Sequence, residues 1–505
     1  MRKQQTTHVV IVMAMVVIAA AAQDASTAPE NAQQSAQPQQ PYAAYGQQNL
    51  PSAINENPPL SGMDMPSLEP NAAPLSYLQP GATFSESADS NAAVAPGANS
   101  YSSVSRALGN LTLRRLWSHY DLGLEYQGGF GYYTVGKHGA KLMQGMDLSQ
   151  KILWKRGQLV LRDSFSYLPE GNFGASYGSV GGLNSGLTGA FGLQGSALGA
   201  FGLVPRIINV SVGEVTENLT PKSSVTATGG YGFAHFYDNA STGQGSANST
   251  NFINSSQMTV QGGYNRVLTS HTQVALVYAY QDFNFSVEGT AFHTHVIQGL
   301  YGRRLSGRLD LLAGAGPQIT QTNSCITVVG LCLGHQEDTR LSVAGVFRLR
   351  YRFPKTMVSL NFHRYETSGS GFFTGAQTNV VEASATRPLN RVWSAFVDIG
   401  YAHNTRLQDL SFQQLQTCNQ PGINNPNPAL PTCPGVDAKR YQYGFIGGGI
   451  HRQFGHDFHG FLSYQFNELA FDQSYCGTLA ACDRISHRHA ITLGVDWTPR
   501  PIRLD

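Results

Sequence analysis

Three arginines spaced two residues apart, Arg348, Arg350 and Arg352, are the most distinctive charged feature of the chain. On a β-strand, side chains two positions apart point to the same side, so the three guanidinium groups are predicted to form one positive row. Such a row can attract anions or orient a charged solute. It can equally be part of a charge network that carboxylates balance, and the carboxylate candidates are Asp310, Glu382, Asp398 and Asp496.

Two histidine pairs, His293 with His295 and His487 with His489, have a spacing at which imidazoles can share a metal ion. Histidines at this spacing are more often polar interface residues, so no metal site is predicted. Ser486 lies beside one of these pairs, but no activated-serine pattern surrounds it. We therefore predict no catalytic residue and no cofactor, and we expect a protein that is not an enzyme.

Six cysteines form three close pairs in the sequence, and each pair is expected to lie inside one long connection. An even number of cysteines in an exported chain predicts disulfides. Irregular spacing and the lack of histidines at zinc-ligand positions disfavour a thiolate metal site. Sequence proximity favours three local pairs: Cys325 with Cys332, Cys418 with Cys433, and Cys476 with Cys482.

The elements that would position these residues are β-strands, because apolar and polar residues alternate along most of the chain after residue 120. In the segment 340–353, Leu341, Val343 and Phe347 alternate with Arg340, Ser342 and Arg348. The pattern predicts about sixteen strands, at roughly 120–133, 141–154, 158–168, 206–217, 222–236, 252–268, 271–283, 291–304, 308–322, 337–353, 356–366, 376–387, 391–404, 438–454, 457–472 and 484–498.

The connections between these strands alternate between short turns and longer segments rich in Gly, Ser and Asn. An even number of alternating strands with this connection pattern is typical of an antiparallel transmembrane β-barrel of the bacterial outer membrane. In lipid every backbone polar group must be paired internally, so membrane-spanning strands must close into a barrel. A polar lumen also accounts for a mean hydropathy of −0.20 in a membrane protein.

The N-terminal part of the chain differs in composition from the segment with alternating residues. Residues 1–22 read as a signal peptide, with Arg2 and Lys3 before the apolar stretch Val9–Ala22. Residues 23–116, rich in Gln, Pro, Ala and Ser, are predicted to be disordered, and the barrel is predicted over residues 117–505. A net charge of +2 without a basic block disfavours nucleic-acid binding.

The sequence from about residue 117 resembles porin-like outer-membrane β-barrels of Gram-negative-type bacteria. The resemblance rests on the signal stretch, the alternation, the turns and the aromatic residues near strand ends. It implies passive diffusion of small solutes, outer-membrane lipid as the surroundings, and insertion by the barrel-assembly machinery, and it allows a homotrimer. The short turns and the N-terminal segment would be periplasmic and the long loops extracellular. The ending TPRPIRLD departs from the terminal aromatic residue common in such proteins.

One uncharged connection, which contains GAFGLQGSALGAFGL at residues 189–203, is a candidate constriction loop. Folding into the barrel mouth would remove Phe191, Leu193, Leu198 and Phe201 from water. The alternatives are a mobile surface loop or a loop that dips into the outer lipid interface. A barrel that such a loop closes completely would be a non-conducting surface structural protein or adhesin, which is the alternative to the channel.

Overall fold

A computed structural model describes residues 59–62, 76–91, 101–134, 139–168, 206–237, 253–286, 290–328, 331–369, 373–407, 438–476 and 484–504. All of these lie within the compact unit Tyr42–Asp505. Across these ranges, no helix is both long and apolar enough to cross a membrane. The signal peptide and the remaining part of the predicted disordered segment lie outside the described residues.

The described chain folds into β-strands joined by turns and loops, with one short 3-10 helix at Gln473–Cys476. The strands are β1 Tyr77–Asp89, β2 Ser102–Leu116, β3 Tyr120–Tyr133, β4 Gly139–Trp154, β5 Gly157–Leu168, β6 Arg206–Thr220, β7 Ser223–Phe236, β8 Ser255–Thr269, β9 Thr272–Phe285, β10 Ala291–Ser306, β11 Leu309–Val328, β12 Leu331–Arg352, β13 Met357–Thr367, β14 Ala376–Pro388, β15 Trp393–Arg406, β16 Arg440–Phe454, β17 Phe458–Phe471, β18 Ile485–Trp497 and β19 Ile502–Arg503.

The strands pair antiparallel with their neighbours along the chain and form a closed ring. The ring closes where β1 pairs with β18, from Ala82 opposite Trp497 to Asp89 opposite Ala490. Eighteen strands form the barrel, and the short β19 pairs outside this ring order with the start of β1. The expected all-β barrel is confirmed, and all sixteen expected strands are present, but the expected total of about 16 was wrong.

The two additional strands, β1 and β2, lie in the segment that the sequence analysis assigned to disorder. They were missed because their outward positions carry few apolar residues: on β1 only Phe84 is a large exposed apolar residue. On β2 the pattern is inverted, since Val104 and Leu108 are buried on the inward face. The barrel therefore begins at Tyr77 rather than near residue 117.

Side chains alternate between an apolar outer face and a more polar inner face. On β18, Ile491, Leu493 and Val495 are 52%, 62% and 44% exposed, whereas the intervening Thr492 and Asp496 are buried. This is the reverse of a soluble sheet protein, in which apolar residues face the interior. It is the arrangement that a barrel in lipid requires.

Outward aromatic residues lie near both ends of the strands. The aromatic positions expected near strand ends are Tyr126, Tyr132, Tyr167, Phe353, Tyr401 and Trp497. All except the half-buried Tyr167 are exposed on the outer face, and Tyr126 lies in the middle of β3. Beside one short turn, the guanidinium of Arg452 stacks on Trp393 at 5.2 Å and on Phe454 at 4.9 Å. Such aromatic rims are typical of the two interfaces of a membrane.

The connections follow the predicted alternation, with one difference at the first cysteine pair. Only residues 329–330 separate β11 from β12, because both strands extend beyond their predicted ends. Cys325 and Cys332 are therefore strand residues, and the expectation that they lie in a long connection was wrong. Cys418, Cys433 and Cys482 lie outside the described residues and Cys476 ends the 3-10 helix, so the three disulfides stay predictions.

Removing residues 1–116 should prevent folding, because the ring cannot close without β1 and β2. After refolding in detergent, we expect no species whose electrophoretic mobility changes on boiling, which is the usual mark of a folded outer-membrane barrel. A variant lacking only residues 1–58 serves as the control and should fold. A folded, heat-modifiable species from the chain lacking residues 1–116 would contradict the closure described here.

Candidate functional site: the lumen and the segments inside it

The arginine row lies on the inward face of β12, where Arg348 and Arg350 are buried. Arg350 pairs with Asp310 on the neighbouring strand, and its Nε donates to both carboxylate oxygens at 3.1 Å. The strand register explains the contact, since Asp310 lies directly opposite Arg350. A bidentate contact of this kind fixes the guanidinium as well as neutralising it.

The other predicted lumen residues are distributed around the ring. By strand alternation Arg352 also faces inward on β12. Glu382 on β14 and Asp398 on β15 lie on the same wall, two residues apart in register, because Ser384 is opposite Asp398. Asp496 is buried on β18 and therefore lies six strands from the arginines along the ring. The structure thus brings Asp310 to the row and leaves Asp496 on another part of the wall.

A second carboxylate pair, which the sequence analysis did not single out, faces the lumen from β3 and β4. Glu125 and Asp147 lie directly opposite each other in the strand register. Like charges at such positions repel one another. The lumen wall therefore carries acidic groups at β3–β4 and β14–β15 and guanidinium groups at β12. The signal in the sequence was one acidic residue at an inward position on each of two neighbouring strands.

The most conspicuous feature of the lumen is the end of the β13–β14 hairpin, residues 365–369 and 373–378, which we call the hairpin end. β12 pairs with β13 only from Gly345 opposite Arg364 to Arg352 opposite Met357. Beyond this point the chain loses the alternation of a wall strand. Every described residue of the hairpin end is buried, whichever face it occupies.

The hairpin end contacts inward side chains on both sides of its own strands. The hydroxyl of Thr294 on β10 donates to Glu366 Oε2 at 2.7 Å, and the hydroxyl of Thr320 on β11 donates to the same oxygen. On the other side, the ring centroids of Phe373 and Tyr441, the latter on β16, are 5.3 Å apart. Because β10 and β16 lie on opposite sides of β13 and β14, these contacts place the hairpin end inside the barrel.

Two glycines make this conformation accessible. Gly369 and Gly375 have φ angles of +79° and +92°, which residues with a Cβ rarely adopt. A Cβ at Gly375 would also lie 2.5 Å from Cε1 of Phe292 on β10. Apolar side chains also pack against the hairpin end. They form a buried cluster of Tyr365, Phe373, Ala376, Val380, Ala402, Ala438, Tyr441, Tyr443, Phe445, Leu469 and Phe471.

A four-residue turn, Pro59–Gly62, is the second segment inside the barrel. All four residues are buried, and they contact inward side chains of β7 and β8 through hydrogen bonds. The turn belongs to the segment that was predicted to be disordered. Its low content of branched apolar residues gave no signal of ordered structure.

The predicted constriction residues Phe191, Leu193, Leu198 and Phe201 lie outside the described residues, so that prediction stays open. Among the described residues, 366–369 and 373–375 enter the lumen and belong to a different connection, the one between β13 and β14, whose sequence is ETSGSGFFTG at 366–375. It shares with the predicted loop a composition of glycine, small polar residues and phenylalanine. That composition could have pointed to it, but its shorter length made it less conspicuous.

Both histidine pairs lie on the outer face near the long connections. The hydroxyl of Tyr278 hydrogen-bonds Nδ1 of His295 at 2.8 Å, and the hydroxyl of Tyr464 hydrogen-bonds Nδ1 of His489 at 2.9 Å. His487 Nδ1 lies 3.5 Å from Glu468. Within the described ranges, no three side chains of His, Cys, Asp or Glu come together as a metal site would require.

Neither a protein-family model nor a curated protein sequence matches the chain. Solved structures with a similar fold include the ferric citrate transporter FecA in the unliganded form, at 12% identity and a TM-score of 0.42; the match covers 85% of this chain and 65% of that one. Outer membrane protein opdK from Pseudomonas aeruginosa matches at 10% identity, with coverages of 84% and 98% and a TM-score of 0.38. A BenF-like porin from Pseudomonas fluorescens Pf-5 matches at 8% identity, with coverages of 85% and 99% and a TM-score of 0.38.

The structure itself is a porin-like barrel, since its strands close into an antiparallel ring with an apolar outer face. The resemblance noted in the sequence is thereby confirmed at the level of fold. The ring also explains why the lumen-facing charged residues, and the residues that contact the two internal segments, come from many different strands. Each strand contributes at most a few inward side chains to any one level of the lumen.

Replacing Arg350 by alanine should destabilise the barrel, because the Asp310 carboxylate would be left buried without its partner. Breaking a buried pair in this way costs about 3–5 kcal/mol. Urea unfolding in lipid vesicles measures the change. Arg308→Ala, in an exposed turn, is the control and should alter the free energy of unfolding by no more than about 0.5 kcal/mol. Equal stability of the two variants would show that the pair contributes nothing.

Proposed function

We propose that the protein is an outer-membrane channel through which small solutes diffuse passively. The observation that carries this proposal is the closed ring of eighteen strands with an apolar outer face and charged inward side chains. Strands about 4.8 Å apart and tilted by about 40° give a ring of eighteen a backbone diameter of about 35 Å. Wall side chains alone cannot fill a barrel of this width, so it has room for water.

The hairpin end is the proposed constriction. It lies inside the barrel at the level of the long connections and narrows the passage to the space between itself and the opposite wall. Between the hairpin end and the short turns, solutes would pass the guanidinium groups of Arg348 and Arg352 on β12 and the carboxylates of Glu382 on β14 and Asp398 on β15. Opposite charges facing one passage favour small polar or zwitterionic solutes over apolar ones.

The outer membrane of a Gram-negative-type bacterium is the proposed location. The signal stretch at residues 1–22 supports export, and an apolar outer face with aromatic rims supports insertion in lipid. The even strand number brings the start of β1 and the end of β18 to the same rim as the short turns. In the proposed orientation this rim is periplasmic and the long connections are extracellular. The channel works without catalysis, and selectivity comes from the bore and its charges.

Single-channel recording in a planar bilayer tests the proposal. The refolded protein should give discrete, ohmic current steps in simple salt, because a water-filled passage crosses the barrel. Protein unfolded by boiling before addition is the control and should give none. If refolded, heat-modifiable protein never conducts, the channel is wrong, and a plugged barrel with a structural or adhesive role replaces it.

Gly375→Val should raise the open-channel conductance. A valine at this position is disfavoured at a φ of +92° and would collide with Phe292, which weakens docking of the hairpin end by about 1–3 kcal/mol. Gly299→Val, on the outer face where an added Cβ meets nothing within 4 Å, is the matched control and should conduct like the native protein. An unchanged conductance in a folded Gly375→Val barrel would show that the hairpin end is not the constriction.

A further inference from the structure

The turn Pro59–Gly62 is bound inside the barrel as a ligand is bound in a site. The backbone N–H of Gly62 donates to the carbonyl oxygen of Pro59 at 3.0 Å, which closes a compact β-turn. More than ten residues separate this turn from the start of β1 at Tyr77. Its position is therefore set by its own contacts with the wall rather than by the adjacent strand.

The polar contacts of the turn involve the backbone of Ser61 as well as its hydroxyl group. The N–H of Ser61 donates to Oδ1 of Asn265 at 3.0 Å, and Nδ2 of Asn265 donates to the serine hydroxyl at 2.6 Å. Nε2 of Gln261 donates to the carbonyl oxygen of Ser61 at 2.8 Å. The hydroxyls of Ser61 and Thr226 also hydrogen-bond each other. The backbone donor and the backbone acceptor of Ser61 are thus both satisfied by inward side chains.

The apolar contact lies beside these groups. Leu60 is buried against Ala275, Val277, Leu300 and Leu312, which are inward residues on β9, β10 and β11. Apolar inward side chains are unusual for a water-filled passage, and here they form a recess for one leucine. Burying a leucine side chain is favourable because it removes apolar surface from water.

The wall is also shaped to admit the turn. A Cβ at Gly302 would lie 2.7 Å from Cδ2 of Leu60, and a Cβ at Gly263 would overlap the side chain of Ser61. Glycine at these two inward positions leaves the space that the turn occupies. We call the whole site, formed by Thr226, Gln261, Gly263, Asn265, Gly302 and the Leu60 recess, the socket.

We propose that the socket is a peptide-binding site and that the N-terminal segment is its tethered ligand, which narrows the channel from the short-turn side. The chemistry that it recognises is a leucine next to a serine in a turn, with the backbone N–H and C=O of the serine bound by two side-chain amides. A tether keeps the local concentration of the turn high, so even a weak site stays occupied. Only the effect on current rests on the proposed channel function; binding in the socket does not.

Peptide binding to a full-length chain with an emptied socket tests the site. Leu60→Asp with Ser61→Pro should release the turn, because a carboxylate replaces the buried leucine and the serine N–H is lost. In detergent, the fluorescent peptide NPPLSGMD, which copies residues 57–64, should then bind saturably. The native chain should bind it far less, because its socket is filled. Absence of saturable binding to the folded double variant would overturn the proposal.

A matched pair of substitutions on β8 locates the binding site. Added to the double variant, Asn265→Leu should weaken peptide binding about tenfold or more, since it removes two hydrogen bonds. Gln257→Leu makes the same type of change on the same face of β8, about 27 Å along the strand, and should leave the affinity unchanged. Equal effects of the two substitutions would overturn the assignment of the socket.

Conductance tests the second half of the proposal. The double variant should conduct more than the native protein, and added peptide should reduce its current. Ser67→Pro with Leu68→Asp, the same two changes further along the segment, is the control and should leave the current at the native value. Equal currents in all three proteins would refute the narrowing. If none of them conducts, the channel function fails while peptide binding still decides whether the socket exists.

Discussion

Closure of the strand ring is the constraint on which the rest of the structure depends. A strand in lipid has no water to satisfy its backbone, so each edge must find a partner within the protein. β1 provides it by pairing with β2 on one side and with β18 on the other. The chain end adds to this seam, because β19 pairs with the start of β1 and the N–H of Leu504 donates to the carbonyl oxygen of Ser76. Residues 502–504 of the ending TPRPIRLD therefore extend this seam at the start of β1 without joining the eighteen-strand ring.

Closure at eighteen strands creates a second requirement, since the interior is wider than wall side chains can fill. Among the described residues, two segments enter the lumen at different levels. The hairpin end contacts Phe292 and Thr294 near the long connections, whereas the Pro59–Gly62 turn contacts Leu300 and Gly302 nearer the short turns. Both use β10 and its neighbours. The strands β10 and β11 therefore contribute to the anchoring of both internal segments.

Strand alternation made most of the fold predictable, because an apolar outer face leaves a two-residue period in the sequence. The sixteen strands with that period were all found. β1 carried too few outward apolar residues, and the inward Val104 and Leu108 of β2 reversed the expected pattern. Those two inward residues show that individual lumen-facing positions can be apolar even though most inward side chains of the barrel are polar. The total strand number could not be right without them.

The site was less predictable because it depends on contacts between distant strands. The pairing of Arg350 with Asp310 follows from register, and both residues were singled out from the sequence. The hairpin end was not, since its entry into the lumen depends on the pairing between β12 and β13 stopping at Gly345. The Leu60 recess likewise needs residues from three strands. A local sequence pattern does not show which side chains from separate strands meet in the folded barrel.

Swelling of proteoliposomes in isotonic sugar solutions tests the central claim most directly, because it follows solute passage through the intact barrel. The account predicts rapid swelling with small sugars and a steep fall with increasing sugar size, since two segments restrict the lumen. Swelling at the rate of protein-free liposomes for every sugar, from protein shown to be folded, would contradict it.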